Sequence, residues 1–203
     1  YKKNPYNSIA VTGTNGKTSV VWYISKILSL LNYDNTTVGT LGYFINGKKI
    51  SEVHLTTPAY EEIYKYGSLK KKSDYIFIFE ASSHALDQDR IKNYPIDIAA
   101  ITNISNDHLD YHKTFFKYKN AKTKLFTKHL NKNGLAIINS RIKNESILRK
   151  KLIKKGIKVK NFGEKNLFFK RIKNYIYLII NKKEYKINNL KLSTNIELEN
   201  LEC

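Results

Sequence analysis

The chain has no methionine, one cysteine, three prolines and nine glycines among 203 residues. A lone cysteine cannot close an internal disulfide. A disulfide-stapled scaffold is therefore excluded, and a reducing compartment, the cytoplasm, is expected. No run of 18 apolar residues occurs, so no membrane-spanning helix and no membrane partner are expected. The opening residues, Tyr1-Lys2-Lys3-Asn4-Pro5, lack the apolar centre of a secretion signal. A translated chain starts with Met and this one starts with Tyr1, so the expectation is a fragment cut at both ends.

Arginine is also scarce, at four residues against 32 lysines. Lys, Ile, Asn, Tyr and Phe together make up 103 of the 203 residues, and all five are encoded by A/T-rich codons. The net charge of +19 is uneven: residues 1–120 carry +4 and residues 121–203 carry +15. Such a balance meets the electrostatic criterion for nucleic-acid binding. The side chain that best forks onto phosphate and guanine is nevertheless nearly missing. A solvated lysine-rich surface, with no nucleic-acid partner, is the reading.

The pattern that is present alternates. Ser8-Ile9-Ala10-Val11 reads as a buried strand ending at Thr12-Gly13. Apolar residues at Val20, Val21, Ile24, Ile27, Leu28 and Leu31 have helical spacing over 17–31. Residues 36–45 and 48–53 read as strands around an Asn46-Gly47 turn. Helices are expected over 59–71, 114–130 and 145–155, and strands over 75–80, 96–101 and 135–139. The stretch 158–192 reads as three or four short strands. Continuous apolar strands alternating with amphipathic helices predict an α/β fold: a mostly parallel sheet with helices on both faces, with extra antiparallel strands near the C-terminus. Ligands in such folds sit beyond the carboxyl ends of the strands. Thr12, Glu80 and Asn103 are therefore expected at one crevice.

Gly13-Thr14-Asn15-Gly16-Lys17-Thr18-Ser19 follows the first strand and opens the first helix, the context of a phosphate-binding P-loop. Glycines let backbone N–H groups approach phosphates, and the helix N-terminus adds its positive end. Lys17 suits the β- and γ-phosphates of ATP, and the Thr18 hydroxyl suits Mg²⁺. Gly13 and Gly16 are only three apart, closer than in the usual P-loop.

This loop resembles that of the Mur ligase superfamily, which includes the folylpolyglutamate synthetases. Thr56-Thr57-Pro58, Glu80-Ala-Ser-Ser-His-Ala-Leu-Asp-Gln-Asp-Arg90, Thr102-Asn-Ile-Ser-Asn-Asp-His-Leu-Asp-Tyr-His112 and Tyr118-Lys-Asn-Ala-Lys-Thr-Lys-Leu-Phe126 resemble the type that adds the third residue of the peptidoglycan stem peptide. The resemblance implies ATP-driven amide formation on UDP-N-acetylmuramoyl-L-alanyl-D-glutamate, through an acyl phosphate. The amino acid added, meso-diaminopimelate, L-lysine or another, is left open. Residues 1–7 are expected to end a linker from an N-terminal uridine-nucleotide domain. Residues 8–203 are expected to be the central ATP-binding domain, with a C-terminal amino-acid-binding domain beyond. By itself such a fragment is expected to be inactive, and the whole enzyme to be a monomer acting on small molecules.

The resemblance also assigns residues. Lys17, Glu80, His108 and Lys122 form the catalytic set. Thr18, Glu80, His108 and Lys122 hold two Mg²⁺ ions. Lys122 is the lysine such enzymes carry as an N-carboxylated (carbamate) side chain, which supplies oxygens to a hard cation. Gly13, Thr14, Asn15, Gly16, Ser19 and Asn103 belong with the nucleotide. Thr56, Thr57, Ser82, Gln88 and Arg90 match positions that hold the UDP-muramoyl dipeptide; for the two threonines a turn leading into Pro58 and a helix N-cap is the alternative. Around residues 194–200 only Asn200 follows the family's pattern. A folylpolyglutamate synthetase, a plain P-loop NTPase module and a nucleic-acid-binding domain remain the alternatives.

If the lysine excess is compositional, duplex DNA is not bound in the micromolar range at physiological salt. A salt-titrated binding isotherm checks this. Micromolar binding that disappears when the lysines of residues 150–160 are neutralised overturns it.

Overall fold

The computed structural model describes residues 8–68, 75–163, 167–172, 175–180, 182–187 and 195–203. Residues 1–7, expected to be a linker, lie outside these. Five strands built from the expected apolar runs lie parallel: β1 (Ser8–Thr12), β2 (Asn35–Gly39), β5 (Ile76–Glu80), β6 (Ile96–Ile101) and β7 (Leu130–Asn139). With β3 (Gly42–Ile45), β4 (Lys48–Ser51) and β8 (Lys158–Phe162) they form an eight-stranded sheet in the order β4-β3-β2-β5-β1-β6-β7-β8. The order reverses around β1, which lies between β5 and β6, so the carboxyl end of β1 is a topological switch point.

Both faces of the sheet are covered. Along β5, Phe77 and Phe79 join one core with Ile63, Leu86, Leu125, Phe126 and Leu152. Ile76 and Ile78 join the other core with Val20 and Val21. This two-sided burial is why the strand reads as an unbroken apolar run rather than an alternating one. Helix α1 (Lys17–Leu30) supplies Val20 and Val21 to the second core. Helix α2 (Tyr60–Ser68) supplies Ile63 to the first. Helices α3 (Ser83–Asp87) and α4 (Leu109–His112) are short pieces in the crossovers. Helix α5 (Phe115–Lys124) starts at Thr114, whose Oγ1 accepts from Lys117 N–H at 3.2 Å, and α6 (Glu145–Lys154) precedes β8.

Several expectations are corrected. Residues 36–45 are two antiparallel strands, because the chain turns between Gly39 and Gly42, the latter at φ 117°. The helix expected over 114–130 widens into a π-turn at Leu125–His129, and β7 begins at Leu130, before the expected start at 135. Strand β8 pairs parallel with β7. The antiparallel C-terminal group is therefore only β9 (Leu167–Ile172), β10 (Tyr175–Ile180) and β11 (Lys183–Ile187), a separate sheet. Helix α2 ends at Ser68, and the rest of the expected segment, residues 69–71, lies outside the described residues, as do residues 188–192. The sequence pattern missed α3, α4 and a final helix, α7 (Asn195–Glu202).

The two edges of the large sheet are lysine-bearing. All four residues of β4 are exposed, Lys48 and Lys49 among them, and β8 exposes Lys158 and Lys160. No helix among the described residues is long and apolar enough to cross a membrane.

Candidate active site

The loop after β1 is held by the loop after β6. Thr14 N–H donates to Asn103 O at 3.0 Å and Asn15 N–H to Asn103 Oδ1 at 2.9 Å. Asn103 Nδ2 and Thr102 Oγ1 both donate to Asn15 O, at 3.1 and 2.6 Å. Gly13 is packed so closely that a β-carbon there would stand 1.9 Å from Thr102 Oγ1. Gly16, at φ 84°, begins α1 in the left-handed region. These contacts spend the Thr14 and Asn15 N–H groups on Asn103 and fix the loop backbone at the positive end of α1.

Two lysines converge on one carbonyl. Lys17 Nζ donates to Gly13 O at 3.0 Å and to Thr14 O at 2.9 Å. Lys122 Nζ donates to the same Gly13 O at 2.7 Å. Lys122 is only 1 % exposed, which is rare for a lysine without a carboxylate against it. Its ammonium position lies 4.5 Å from the centre of the Tyr118 ring. Burial, and secondarily the charge of Lys17, pull its pKa down to about 7. Burial also lowers that of Lys17, with Glu80 and Asp107 acting in opposition.

Glu80 ends β5 and is 1 % exposed. Its carboxylate accepts from Thr18 Oγ1 at 3.0 Å to each oxygen, and from the backbone N–H of Thr40 at 2.7 Å. Burial raises its pKa, while the Thr40 and Thr18 hydrogen bonds and Lys17 oppose the rise. Thr18 and Glu80 thus offer hard oxygen atoms side by side beneath the loop.

His108 adopts a left-handed φ of 50°, with its Nε2 3.4 Å from Asp107 Oδ2. Its ring is 4.9 Å from that of His84 and 6.2 Å from that of Tyr118. Among the described residues, no three His, Cys, Asp or Glu side chains come together as a metal cage. A cation here would need hydroxyl or other oxygen donors as well.

The proposed substrate residues form one connected group. Thr57 Oγ1 donates to Glu80 O at 2.8 Å and accepts from Ser82 N–H at 2.9 Å. Ser82 caps α3, accepting from Ala85 N–H. Arg90 Nη1 donates to Thr57 O at 3.2 Å, and Arg90 Nε donates to Gln88 Oε1 at 2.8 Å. Thr56 Oγ1 accepts from the Thr40 hydroxyl at 3.2 Å. Thr57 and Ser82 thus spend their hydroxyls on the chain itself, whereas Gln88 is exposed and Arg90 half-buried. Ser19 sits in the first turn of α1 behind the loop.

Sequence reasoning missed three contributors. Tyr118 is fully buried, covers Lys122 and shares a 2.9 Å hydrogen bond with Thr14 Oγ1. Its spacing of four from Lys122 on a helix was the available signal. Thr40 acts through a backbone N–H, which no side-chain motif reveals. Asn139, at the end of β7, donates to Thr102 O at 2.6 Å and so braces the loop that holds the P-loop.

A doubly wound sheet with a Lys-Thr loop at its switch point defines a P-loop α/β domain. The family model for the Mur ligase middle domain matches residues 11–196, and the chain belongs to that family. The UDP-N-acetylmuramoyl-L-alanyl-D-glutamate--2,6-diaminopimelate ligase of Rickettsia montanensis is 42% identical over 198 residues, covering 93% of this chain and 41% of the relative. The ligase of the same name from Helicobacter hepaticus is 39% identical over 128 residues, 62% of this chain and 27% of its own. A solved structure of a ligase with that name superposes with a TM-score of 0.77 at 27% identity, over 98% of this chain and 42% of that one. The Mycobacterium tuberculosis folylpolyglutamate synthase, complexed with ADP and AMPPCP, shares the fold at a TM-score of 0.66 and 18% identity, over 98% of this chain and 54% of that one. The chain spans about two fifths of the length of the Rickettsia relative.

Gly39 tests the packing of the site. A β-carbon there would stand 2.1 Å from Glu80 Oε1. Gly39→Ala is expected to push the carboxylate off Thr18 and the Thr40 N–H and to destabilise the protein by about 1–3 kcal/mol. Denaturant unfolding measures this. Unchanged stability, with Glu80 in place in a crystal structure of the variant, contradicts it.

Proposed function

We propose that the chain is the central, ATP-binding part of a ligase that joins 2,6-diaminopimelate to UDP-N-acetylmuramoyl-L-alanyl-D-glutamate. The carrying observation is the convergence of Lys17 and Lys122 on Gly13 O, next to the Thr18–Glu80 pair, in a chain that matches the Mur ligase middle domain. The names of the relatives support diaminopimelate as the amino acid, which the sequence left open. Small-molecule substrates, a cytoplasmic location and a monomer go with this reading.

The reaction asks one anion to attack another. The γ-carboxylate of the D-glutamyl residue attacks the γ-phosphorus of ATP, forming an acyl phosphate and releasing ADP. The amine of the incoming amino acid then attacks the acyl carbon, forming the amide, expelling inorganic phosphate and losing a proton. Two Mg²⁺ ions neutralise charge on the triphosphate when bound. The residues present fit such ions in their oxygen donors, Thr18 and Glu80, with His108 beyond. In this arrangement Lys17 trades the carbonyls of Gly13 and Thr14 for phosphate oxygens. The N–H groups at the start of α1 hold the phosphates in line, and positioning does most of the remaining work. Gln88 and Arg90 face the dipeptide, Arg90 as a fork for a carboxylate. Thr57 and Ser82 shape that wall, and Thr56 lies beside it.

Lys122 fits the metal only after modification. As an ammonium it has no lone pair to give, and as a neutral amine it is a nitrogen donor poorly matched to a hard cation that prefers oxygen. A buried, neutral amine attacks the carbon of CO₂, forms an N–C bond and releases one proton. The product is an anionic carbamate with two oxygens. Exclusion from water, the neighbouring positive charge of Lys17 and the lowered pKa all favour the neutral amine.

Lys17 and Lys122 make the test. In the full-length ligase, Lys17→Ala is expected to abolish ATP turnover while circular dichroism stays unchanged; turnover within tenfold of wild type removes the phosphate-loop assignment. Lys122→Arg is expected to cost roughly a thousandfold or more, since Arg cannot be carbamylated and keeps its charge. Lys122→Ala is expected to regain part of its activity with added short carboxylic acids. Near wild-type activity for Lys122→Arg rules the carbamate out.

A further inference from the structure

Helix α7 meets the phosphate loop from outside the large sheet, and it carries two buried polar residues there, Asn200 and Glu202. Asn200 is 5 % exposed, and its amide oxygen lies 2.0 Å from where a β-carbon of Gly16 would stand. The side chain is thus pressed against the backbone of the loop at its left-handed residue. Leu198 is buried on the same helix, and Cys203 packs against the core that α1 covers.

Two residues beyond Asn200, the Glu202 side chain is 1 % exposed and fully engaged. Arg141 Nη1 donates to its Oε2 at 2.6 Å and Arg141 Nη2 to its Oε1 at 3.3 Å. The backbone N–H of Phe169, on β9, donates to Oε1 at 2.6 Å. Arg141 stands two residues past β7, and its backbone N–H donates to Asn139 Oδ1 at 2.9 Å. Its guanidinium lies against Gly163, where a β-carbon would be 2.8 Å from Nη1. One carboxylate therefore joins the end of β7, the small sheet and the last turn of α7.

We propose that Arg141 is a positioning residue for the phosphate loop: by pairing with Glu202 it sets α7 so that Asn200 closes on Gly16. The consequence for ATP rests on the nucleotide-binding reading above. The chain of contacts runs from Arg141 to Glu202, along one half-turn of helix to Asn200, and onto the loop. A buried carboxylate that loses its cation is left uncompensated and seeks water. Helix α7 has eight residues, so a shift of its last turn carries Asn200 with it. Lysine cannot replace the fork, because it offers one point charge where Arg141 offers two aligned donors. Arg141 is one of only four arginines in a chain that otherwise uses lysine.

The test uses the full-length ligase with Arg141→Met, Arg141→Lys and Glu202→Gln. Hydrogen exchange of the amides of residues 13–18 is read without nucleotide, and ADP affinity is read by calorimetry, both well below the melting temperature. Loop exchange is expected to quicken about tenfold or more in Arg141→Met and Glu202→Gln. The ADP Kd is expected to rise between about 5- and 100-fold, the usual span of coupling between two parts of a protein. Arg141→Lys falls between them and wild type, and it carries the test if the other variants do not fold. Asn200→Ala, which keeps the ion pair, is expected to loosen the loop to the same degree. A pair that is merely structural lowers the melting temperature and leaves loop exchange and ADP affinity at wild-type values; that result overturns the proposal. If the unaltered ligase binds no ADP, the nucleotide reading fails, and loop exchange alone still decides whether Arg141 sets the loop.

Discussion

A single buried carboxylate organises the crevice. Glu80 stands at the end of the central strand pair, and three separate segments reach it: α1 through Thr18, the β2–β3 turn through the Thr40 N–H, and residue 57 through the Glu80 carbonyl. An acid in this position is costly unless its lone pairs are satisfied. The turn at Thr40, the glycine at 39 and the threonine at 18 all read as answers to that requirement. Remove the carboxylate, and the β2–β3 turn and the helix start lose their common partner.

The opposite problem arises with the two lysines. Two ammonium groups on one carbonyl repel each other, and both are largely out of water. The crowding favours proton loss from the more deeply buried of the two, Lys122, and leaves Lys17 as the cation for an incoming anion. The ring of Tyr118 seals Lys122 on one side, and its hydroxyl bonds to Thr14, so Lys122 and the loop after β1 are mechanically one piece.

Much of this was legible in the residues. The parallel core strands, α1 and the phosphate loop follow from local pattern, because burial on both faces produces unbroken apolar runs and a loop that binds phosphate needs its glycines at fixed places. The motifs around Glu80, His108 and Lys122 were visible through resemblance, and Lys122 only through it, since no periodicity separates a buried lysine from 31 others. What stayed hidden depends on long-range contact. The break at Thr40 was masked by the β-branched run Thr36-Thr37-Val38, the π-turn after α5 by continued apolar spacing, and α3 and α4 by their shortness. Helix α7 was read as a departure from pattern, and its partner Arg141 lies 61 residues away in the chain.

Among the described residues, the open eight-stranded sheet has two rims, β4 and β8, whose outer backbone donors and acceptors pair with no further strand and could template another chain. Here each rim is a row of ammonium groups: Lys48 and Lys49 on β4, Lys158 and Lys160 on β8. Two such rims brought together face like charge against like charge, at the spacing where strand pairing has to begin. The lysine surplus, whatever its origin, therefore acts as a colloidal safeguard that keeps copies of this mostly parallel sheet from zipping into one another.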